Sequence, residues 1–250
     1  MLAADRHQMI IDLVKERGTA TVQELCDLTT SSLSTIRRDL NQLDQAGRLK
    51  KVHGGAQYLT EFGEETDLSS RSVEHLAAKR AIAQYVVKQV IKPGQLIYLD
   101  AGSTCLQVIE ALPIGANIMI VTNGLDQAYT AIHRQIDTIL LGGAIRPLTR
   151  AIAGTTAYQQ LSAYNFDQAF LGINGIDSHY GLTTTAREEA DLKGLASRHS
   201  RRYFLLADQT KFGQAYDQRV VFDQAPTIIT NSGPIDAQFH QRYRIKEVDV

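Results

Sequence analysis

The sequence predicts an α/β chain in two parts: three short helices and a small hairpin, followed by a mostly parallel sheet. Three observations carry this. Capped segments with helical apolar spacing fill residues 9–47. From residue 96 onward, short apolar runs alternate with helical stretches, the pattern of a sheet covered on both faces. A polar, mostly glycine-containing loop follows nearly every one of those runs.

In the first part, Met9, Ile10, Leu13 and Val14 recur at helical spacing, and Gly18 follows where a helix should stop. Thr21 and Glu24 are spaced for a reciprocal N-terminal cap, with Val22, Leu25 and Leu28 as the apolar side of a second helix. Ser31 and Ser32 can cap a third. There Ile36, Leu40 and Leu43 face inward, Ser34, Thr35, Arg37, Arg38 and Asn41 face outward, and Gly47 supplies the stop. Leu49 and Val52 are spaced for the two arms of a hairpin carrying Arg48, Lys50, Lys51 and His53. Gly54 and Gly55 would let that hairpin's backbone approach another chain or DNA closely.

This order describes a winged helix-turn-helix whose last helix can enter the major groove. Hydroxyls at its start can bond phosphates or base edges, and arginine can fork onto guanine. Residues 31–56 hold five Lys/Arg against two acids, an excess of three in a chain of net charge −1, so positive charge is concentrated where DNA contact is expected. The candidate DNA-binding residues are Ser32, Ser34, Thr35, Arg37, Arg38, Asn41, Lys50, Lys51, His53 and Gly54. Asp39 is expected to form an ion pair that orients an arginine.

Residues 57–76 are acidic, contain glycine and show no period, which reads as a linker. A long amphipathic helix with Ile82, Tyr85, Val86 and Val90 follows, ended by Pro93 and Gly94. Strands are expected at 96–99, 118–121, 138–141, 169–171, 203–206 and 227–230. In an open α/β sheet, ligands gather at the carboxyl ends of the strands. The residues found there are Asp100, Gly102, Ser103 and Thr104, then Thr122 and Asn123, Gly142 and Gly143, Gly172, Asn174 and Gly175, and finally Asp208 and Lys211. The loop at 100–104 offers amides, hydroxyls and a helix start to an anion, and a phosphate suits it. Lys211 could add a positive charge.

Composition narrows the classes. A chain of 250 residues with 44% apolar content can bury a substantial core as one small domain plus an ordinary one. Its two cysteines, Cys26 and Cys105, are far apart and stand near no histidine cluster, against a disulfide framework or structural zinc. No signal peptide or membrane span is expected, and the protein is read as cytoplasmic.

Residues 6–56 resemble the winged helix-turn-helix of the DeoR family of bacterial repressors, through the run from Thr35 to Leu40 and the His53-Gly54-Gly55-Ala56 end of the wing. The family commonly carries arginine where Lys51 stands. Residues 77–232 are similar to the family's effector domain, through Asp100-Ala-Gly-Ser-Thr104, the glycine-rich turn at 172–175, Glu189-Ala-Asp-Leu-Lys193 and Asp208 with Thr210-Lys-Phe-Gly213. The resemblance implies the fold of ribose-5-phosphate isomerases and CoA transferases. It marks Glu189 and Lys211 as positions to inspect, in a domain that binds a phosphorylated sugar.

The expected organisation is a DNA-binding domain at 1–56, a linker at 57–76, an effector domain at 77–233 and a tail at 234–250. The function implied is a non-enzymatic repressor of a sugar-utilisation operon. Its partners would be operator DNA, a sugar-phosphate effector and further copies of itself as a dimer or tetramer, with no cofactor, metal or membrane. The alternative is an isomerase-like enzyme with an accessory DNA-binding domain, for which Asp177 alone would be a thin remnant of the isomerases' acidic cluster.

Overall fold

The computed structural model describes residues 2–58 and 62–250. The chain divides into two compact units, Met1–Glu61 and Phe62–Val250.

The first unit contains α1 (Ala3–Arg17), β1 (Thr19–Thr21), α2 (Val22–Thr29), α3 (Leu33–Gln45), β2 (Lys50–Val52) and β3 (Gly55–Gln57). Gly18 ends α1 at φ 75°, a conformation that costs glycine little. Thr21 and Glu24 form the expected reciprocal cap: the Glu24 N–H donates to Thr21 Oγ1 at 3.2 Å and the Thr21 N–H to Glu24 Oε2 at 2.8 Å. Ile10, Val14, Leu25, Ile36, Leu40, Leu43 and Leu49 make one core. Ile11 and Cys26 join it, whereas Leu28, expected on the inner side of α2, is 39% exposed.

The hairpin also differs from expectation. Leu49 and Val52 lie on the same arm, the second arm is β3, and a strand not anticipated, β1, pairs antiparallel with β3 to give the order β1-β3-β2. The physical reason is at Gly55, where a Cβ would stand 2.1 Å from the Ala20 carbonyl oxygen. The close approach read from the glycine pair is to the unit's own strand.

The second unit starts within the stretch read as a linker. Of that stretch, Leu59, Thr60 and Glu61 lie outside the described residues; Gln57 belongs to β3, and Leu68–Val73 forms α4, capped by Asp67 accepting from the Ser70 N–H. The long helix follows as α5 (Leu76–Tyr85), whose continuation Val86–Val90 is π-helical rather than α-helical. Next come β4 (Leu96–Leu99), α6 (Ser103–Ala111), β5 (Met119–Thr122), α7 (Leu125–His133), β6 (Asp137–Leu140), β7 (Ala144–Arg146), β8 (Ala151–Ala153), α8 (Thr155–Leu161) and β9 (Phe166–Gly172). The remaining elements are β10 (Gly175–Asp177), β11 (Gly181–Thr184), α9 (Arg187–Arg198), β12 (Ser200–Leu206), β13 (Gln218–Arg219), β14 (Thr227–Asn231), α10 (Ala237–Arg242) and β15 (Arg244–Val248).

Seven strands form one sheet in the order β15-β14-β12-β9-β4-β5-β6, with every neighbouring pair parallel. All six expected strands are in it, shifted by a few residues at their ends. The segment read as a tail supplies the seventh: β15 pairs with β14 from Arg244 opposite Thr227 to Val248 opposite Asn231. The sheet is buried on both faces. Ile97, Leu99, Ile120 and Phe170 pack beneath α5 and α6, while Tyr98, Val121, Leu171 and Leu205 pack with residues of α8 and α9. Two small antiparallel additions, β7 with β8 and β10-β11-β13, were not read from the sequence. Their strands, two to four residues long, are too short to show a period.

Candidate functional site

The first unit presents one open basic surface. Ser32 caps α3, accepting from the Thr35 N–H at 3.3 Å and sharing hydrogen bonds of 2.9 Å with the Ser34 and Thr35 hydroxyls. Arg37 and Arg38 are exposed on the next turn and enter no ion pair among the described residues. Asp39, by contrast, is buried. It takes a two-pronged bond from Arg6, Nε to Oδ2 at 2.6 Å and Nη2 to Oδ1 at 3.1 Å, and meets His7 Nε2 at 3.0 Å. The expected ion pair is therefore between α1 and α3, and leaves Arg37 and Arg38 uncommitted.

On the wing, Lys50, His53 and Gly54 are exposed, with Gly54 at φ 84° in the turn between β2 and β3. Lys51 Nζ donates to Asn41 Oδ1 at 2.7 Å, and the Lys51 N–H to Asp44 at 2.9 Å. Lys51 and Asn41 thus brace the wing against the helix, so two of the candidate DNA contacts are partly occupied with each other.

In the second unit a cavity opens at the carboxyl ends of the central strands. Of the candidates, Gly102, Ser103, Thr104, Gly172, Asn174, Glu189 and Lys211 line it. The α6 N-terminus is shaped by Gly102 at φ 134° and held by polar braces. The Ala101 N–H donates to Asn123 Oδ1 at 2.8 Å, and Gln127 Nε2 donates to the Gly102 carbonyl at 2.9 Å. Among the described residues no side chain caps α6, so its first-turn amides are available to an anion.

Other candidates have structural roles. Asn123 bridges Ala101 and the Ile152 carbonyl, and the Thr122 hydroxyl accepts from the Gly124 N–H. The Gly142 N–H donates to Gln160, and Gly143, at φ 142°, packs against Ile152. Gly175 is a packing glycine, since a Cβ there would lie 2.4 Å from the Gln214 carbonyl oxygen. Asp208 caps a short turn through the Thr210 N–H, while its buried Oδ2 has no hydrogen-bond partner among the described residues. Asp177 accepts from the His179 and Tyr180 N–H groups at 2.8 Å each, so its carboxylate is spent on a turn.

The charged groups that organise the cavity were largely missed in the sequence. Buried Lys193 donates to buried Asp100, whose Oδ2 also accepts from the Gly172 N–H at 3.0 Å. Desolvation pushes the Asp100 carboxyl up while Lys193 pulls it back. The Lys193 ammonium is held in its charged form by Asp100 and Glu189 against its own desolvation. Lys79 donates to the Arg71 and Glu74 carbonyls, the latter at 2.7 Å. Its pKa is pushed down to about 8, first by burial and further by Lys211 and Arg71, with Asp208 and Glu74 opposing. Lys79 was legible in principle, because it shares the helical face of Ile82 and Val86 (i, i+3, i+7) in an otherwise apolar stripe. Arg71, on α4, was hidden in the supposed linker.

Glu189 is fixed by Arg146 Nη1 at 2.6 Å and the Thr149 hydroxyl at 3.0 Å. With Asp100 and Lys193 neutralising each other, the cations lining the cavity that meet no carboxylate within salt-bridge distance among the described residues are Arg71, Lys79 and Lys211. Among the described residues there is no group of three or more His, Cys, Asp or Glu side chains able to hold a metal ion.

A capped helix with an exposed arginine pair beside a basic wing, in one chain with an α/β unit bearing a polar cavity at its sheet edge, is the arrangement of a two-part transcriptional regulator. Residues 6–62 match the model of the DeoR-like helix-turn-helix domain and residues 74–241 that of the DeoR C-terminal sensor domain. The chain belongs to the DeoR family of transcriptional regulators. It is 40% identical over 214 residues to the uncharacterised HTH-type transcriptional regulator FruR of Bacillus subtilis, covering 86% of this chain and 85% of that one. It is 34% identical over 251 residues to the regulator GlpR of Haloferax volcanii, covering 100% and 98% of the two. It is also 34% identical over 215 residues to the glycerol-3-phosphate regulon repressor of Escherichia coli, covering 86% and 84%. These relatives are named as regulators, and the enzyme alternative gives way to a non-enzymatic regulator. No described helix is long and apolar enough to cross a membrane.

Proposed function

We propose that this chain is a cytoplasmic repressor of a sugar-utilisation operon, acting as a homo-oligomer, and that a phosphorylated sugar bound in the second unit modulates its hold on operator DNA. The observation that carries this reading is the meeting of an uncapped helix start at Gly102, Ser103 and Thr104 with Arg71, Lys79 and Lys211 around one cavity. Backbone amides at a helix N-terminus and fixed cations are what a phosphate dianion needs. Asn174 and Glu189, on the same wall, offer an amide and a carboxylate to sugar hydroxyls. The name of the Escherichia coli relative, a glycerol-3-phosphate regulon repressor, agrees with a phosphorylated effector.

In the first unit, Ser34, Thr35, Arg37 and Arg38 are assigned to the major groove, and Lys50, His53 and the Gly54 backbone to phosphates beside it. Ser32 acts as the cap, and Asn41 with Lys51 as the brace between helix and wing. Regulation needs no chemistry: an effector with different affinity for two arrangements of the protein, with a coupling of roughly 1–3 kcal/mol, changes operator affinity about 5–150-fold.

The test is a thermal-shift panel of glycerol 3-phosphate, fructose 1-phosphate, fructose 6-phosphate and ribose 5-phosphate against their unphosphorylated counterparts. A ligand at about a hundred times its Kd should stabilise the unit it occupies by about 2.7 kcal/mol. Selective stabilisation by one phosphate ester, reduced in Lys211→Ala, is expected. Equal shifts from a phosphorylated sugar and its counterpart would overturn the phosphate assignment.

A further inference from the structure

The cavity wall is tied to the connector, the segment between the helix-turn-helix unit and α4. Arg146, on β7, is the tie. Its Nη1 donates to Glu189 Oε1 at 2.6 Å and to Glu65 Oε1 at 3.2 Å, and its Nη2 donates to Glu65 Oε2 at 2.8 Å. One guanidinium therefore serves two carboxylates, one on the cavity and one on the connector, four residues past Glu61, where the first unit ends. The Thr185 hydroxyl also donates to Glu65. On either side of Glu65 the connector is fastened by backbone bonds, the Gly63 N–H to the Ala215 carbonyl at 2.9 Å and the Leu68 N–H to the Leu148 carbonyl at 3.0 Å.

We propose that Arg146 is a positioning residue that transmits occupancy of the cavity to the connector by redistributing its hydrogen bonds between Glu189 and Glu65. This rests on the effector reading above. Glu189 Oε1 is taken by Arg146 and Thr149, while Oε2 accepts from no described residue and is the oxygen left for a ligand hydroxyl. A hydroxyl donating there draws charge from the carboxylate and weakens its claim on the guanidinium. Glu65 is the competing acceptor, so the shared Nη1 falls back onto it and the connector is gripped more tightly. The two carboxylates and one guanidinium carry a net charge of −1 in a part-buried setting, where such competition is felt more strongly than in water.

The experiment is hydrogen–deuterium exchange on the full chain, read at the amides of Gly63 and Leu68. With the phosphorylated sugar selected by the thermal-shift panel at saturation, both should exchange on the order of tenfold more slowly, the effect of one strengthened charge-assisted bond. In Glu65→Gln the slowing should vanish and, because coupling is reciprocal, the same ligand should bind up to about tenfold more weakly than to the wild-type chain. A structural role alone would change the basal exchange and leave the ligand response in place. Glu189→Gln without ligand supplies an independent arm: it removes one claimant on Arg146 and should by itself slow exchange at Gly63 and Leu68. If no panel member binds, the sugar-phosphate reading fails and the Glu189→Gln arm alone decides the relay. Unchanged connector exchange in that variant, or ligand binding that leaves wild-type Gly63 and Leu68 unaffected, overturns it.

Discussion

Two positions, Gly55 and Asp39, show how single residues set the stability of the first unit. Gly55 has no room for a methyl group, because its Cβ position lies 2.1 Å from the Ala20 carbonyl oxygen, a backbone atom that can retreat only by separating β1 from β3. Gly55→Ala should therefore destabilise the helix-turn-helix unit by about 1–3 kcal/mol, seen as a lower urea midpoint with the slope unchanged. At Asp39, burial raises the carboxyl, but the hydrogen bonds from Arg6 and His7 outweigh it and hold the pKa below the usual range. A depressed folded-state pKa gives stability that is present above the unfolded value and lost as pH falls through the folded one. Asp39→Asn should cost about 1–3 kcal/mol near neutral pH, and the gap to wild type in urea unfolding should close below about pH 4. A gap independent of pH would mean that packing, not charge, sets the cost. Gly55 was visible in the sequence as a site of close approach, but the atom it approaches was not. The partners of Asp39 were equally hidden, because Arg6 and His7 stand more than thirty residues away and only the packing of α1 on α3 brings them there.

At the scale of elements, α3 and the wing are proposed to divide the holding and reading of DNA between them. Because Asp39 is satisfied from α1, Arg37 and Arg38 remain exposed on the helix and enter no ion pair among the described residues. Replacing either with alanine should weaken operator binding by about 1–3 kcal/mol and relax preference at one base position if it reads a base. If it contacts phosphate only, all sequences should weaken alike and the salt slope should drop by about one. Unchanged affinity in both variants would remove α3 from the interface. The helices of this unit were legible from their apolar spacing, and the six expected strands from short apolar runs followed by polar loops. The elements that escaped had a weaker local signature. The six-residue helix α4 lies in a polar stretch, and β15 alternates Arg244, Lys246 and Val248 with Ile245 and Glu247, so it is recognisable as a strand only once β14 offers it an edge. The same limit applies to the cavity. The glycine and hydroxyl loops pointed to the sheet edge where the cavity opens, whereas Lys79 and Lys193 line it from helices whose placement depends on the assembled sheet.

For the molecule as a whole, the depressed pKa of Lys79 should link folding and effector binding to pH with opposite signs. Its pKa is pushed down to about 8 by burial, against an ordinary 10.5. Between those two values the unfolded chain binds the extra proton and the folded chain does not, so the penalty for burying the ammonium is fully present below about 8 and is relieved as pH rises toward 10.5. Effector binding should move the other way. Below about 8 Lys79 carries a charge and, with two of its three N–H donors on the Arg71 and Glu74 carbonyls, has one left for a phosphate. Above that, the cavity loses one of its three cations while the phosphate ester stays a dianion. Calorimetric titration from pH 7 to pH 9 should therefore show affinity for the phosphorylated ligand falling through about pH 8, even as Lys79 ceases to burden the fold. The bound phosphate should itself draw the lysine pKa upward, so the complex should take up protons on formation near pH 8, measurable as a dependence of the binding heat on the buffer's ionisation enthalpy. An affinity flat across this range, with no proton uptake, would assign Lys79 to holding the loop between α4 and α5 and leave the phosphate to Lys211, Arg71 and the α6 amides.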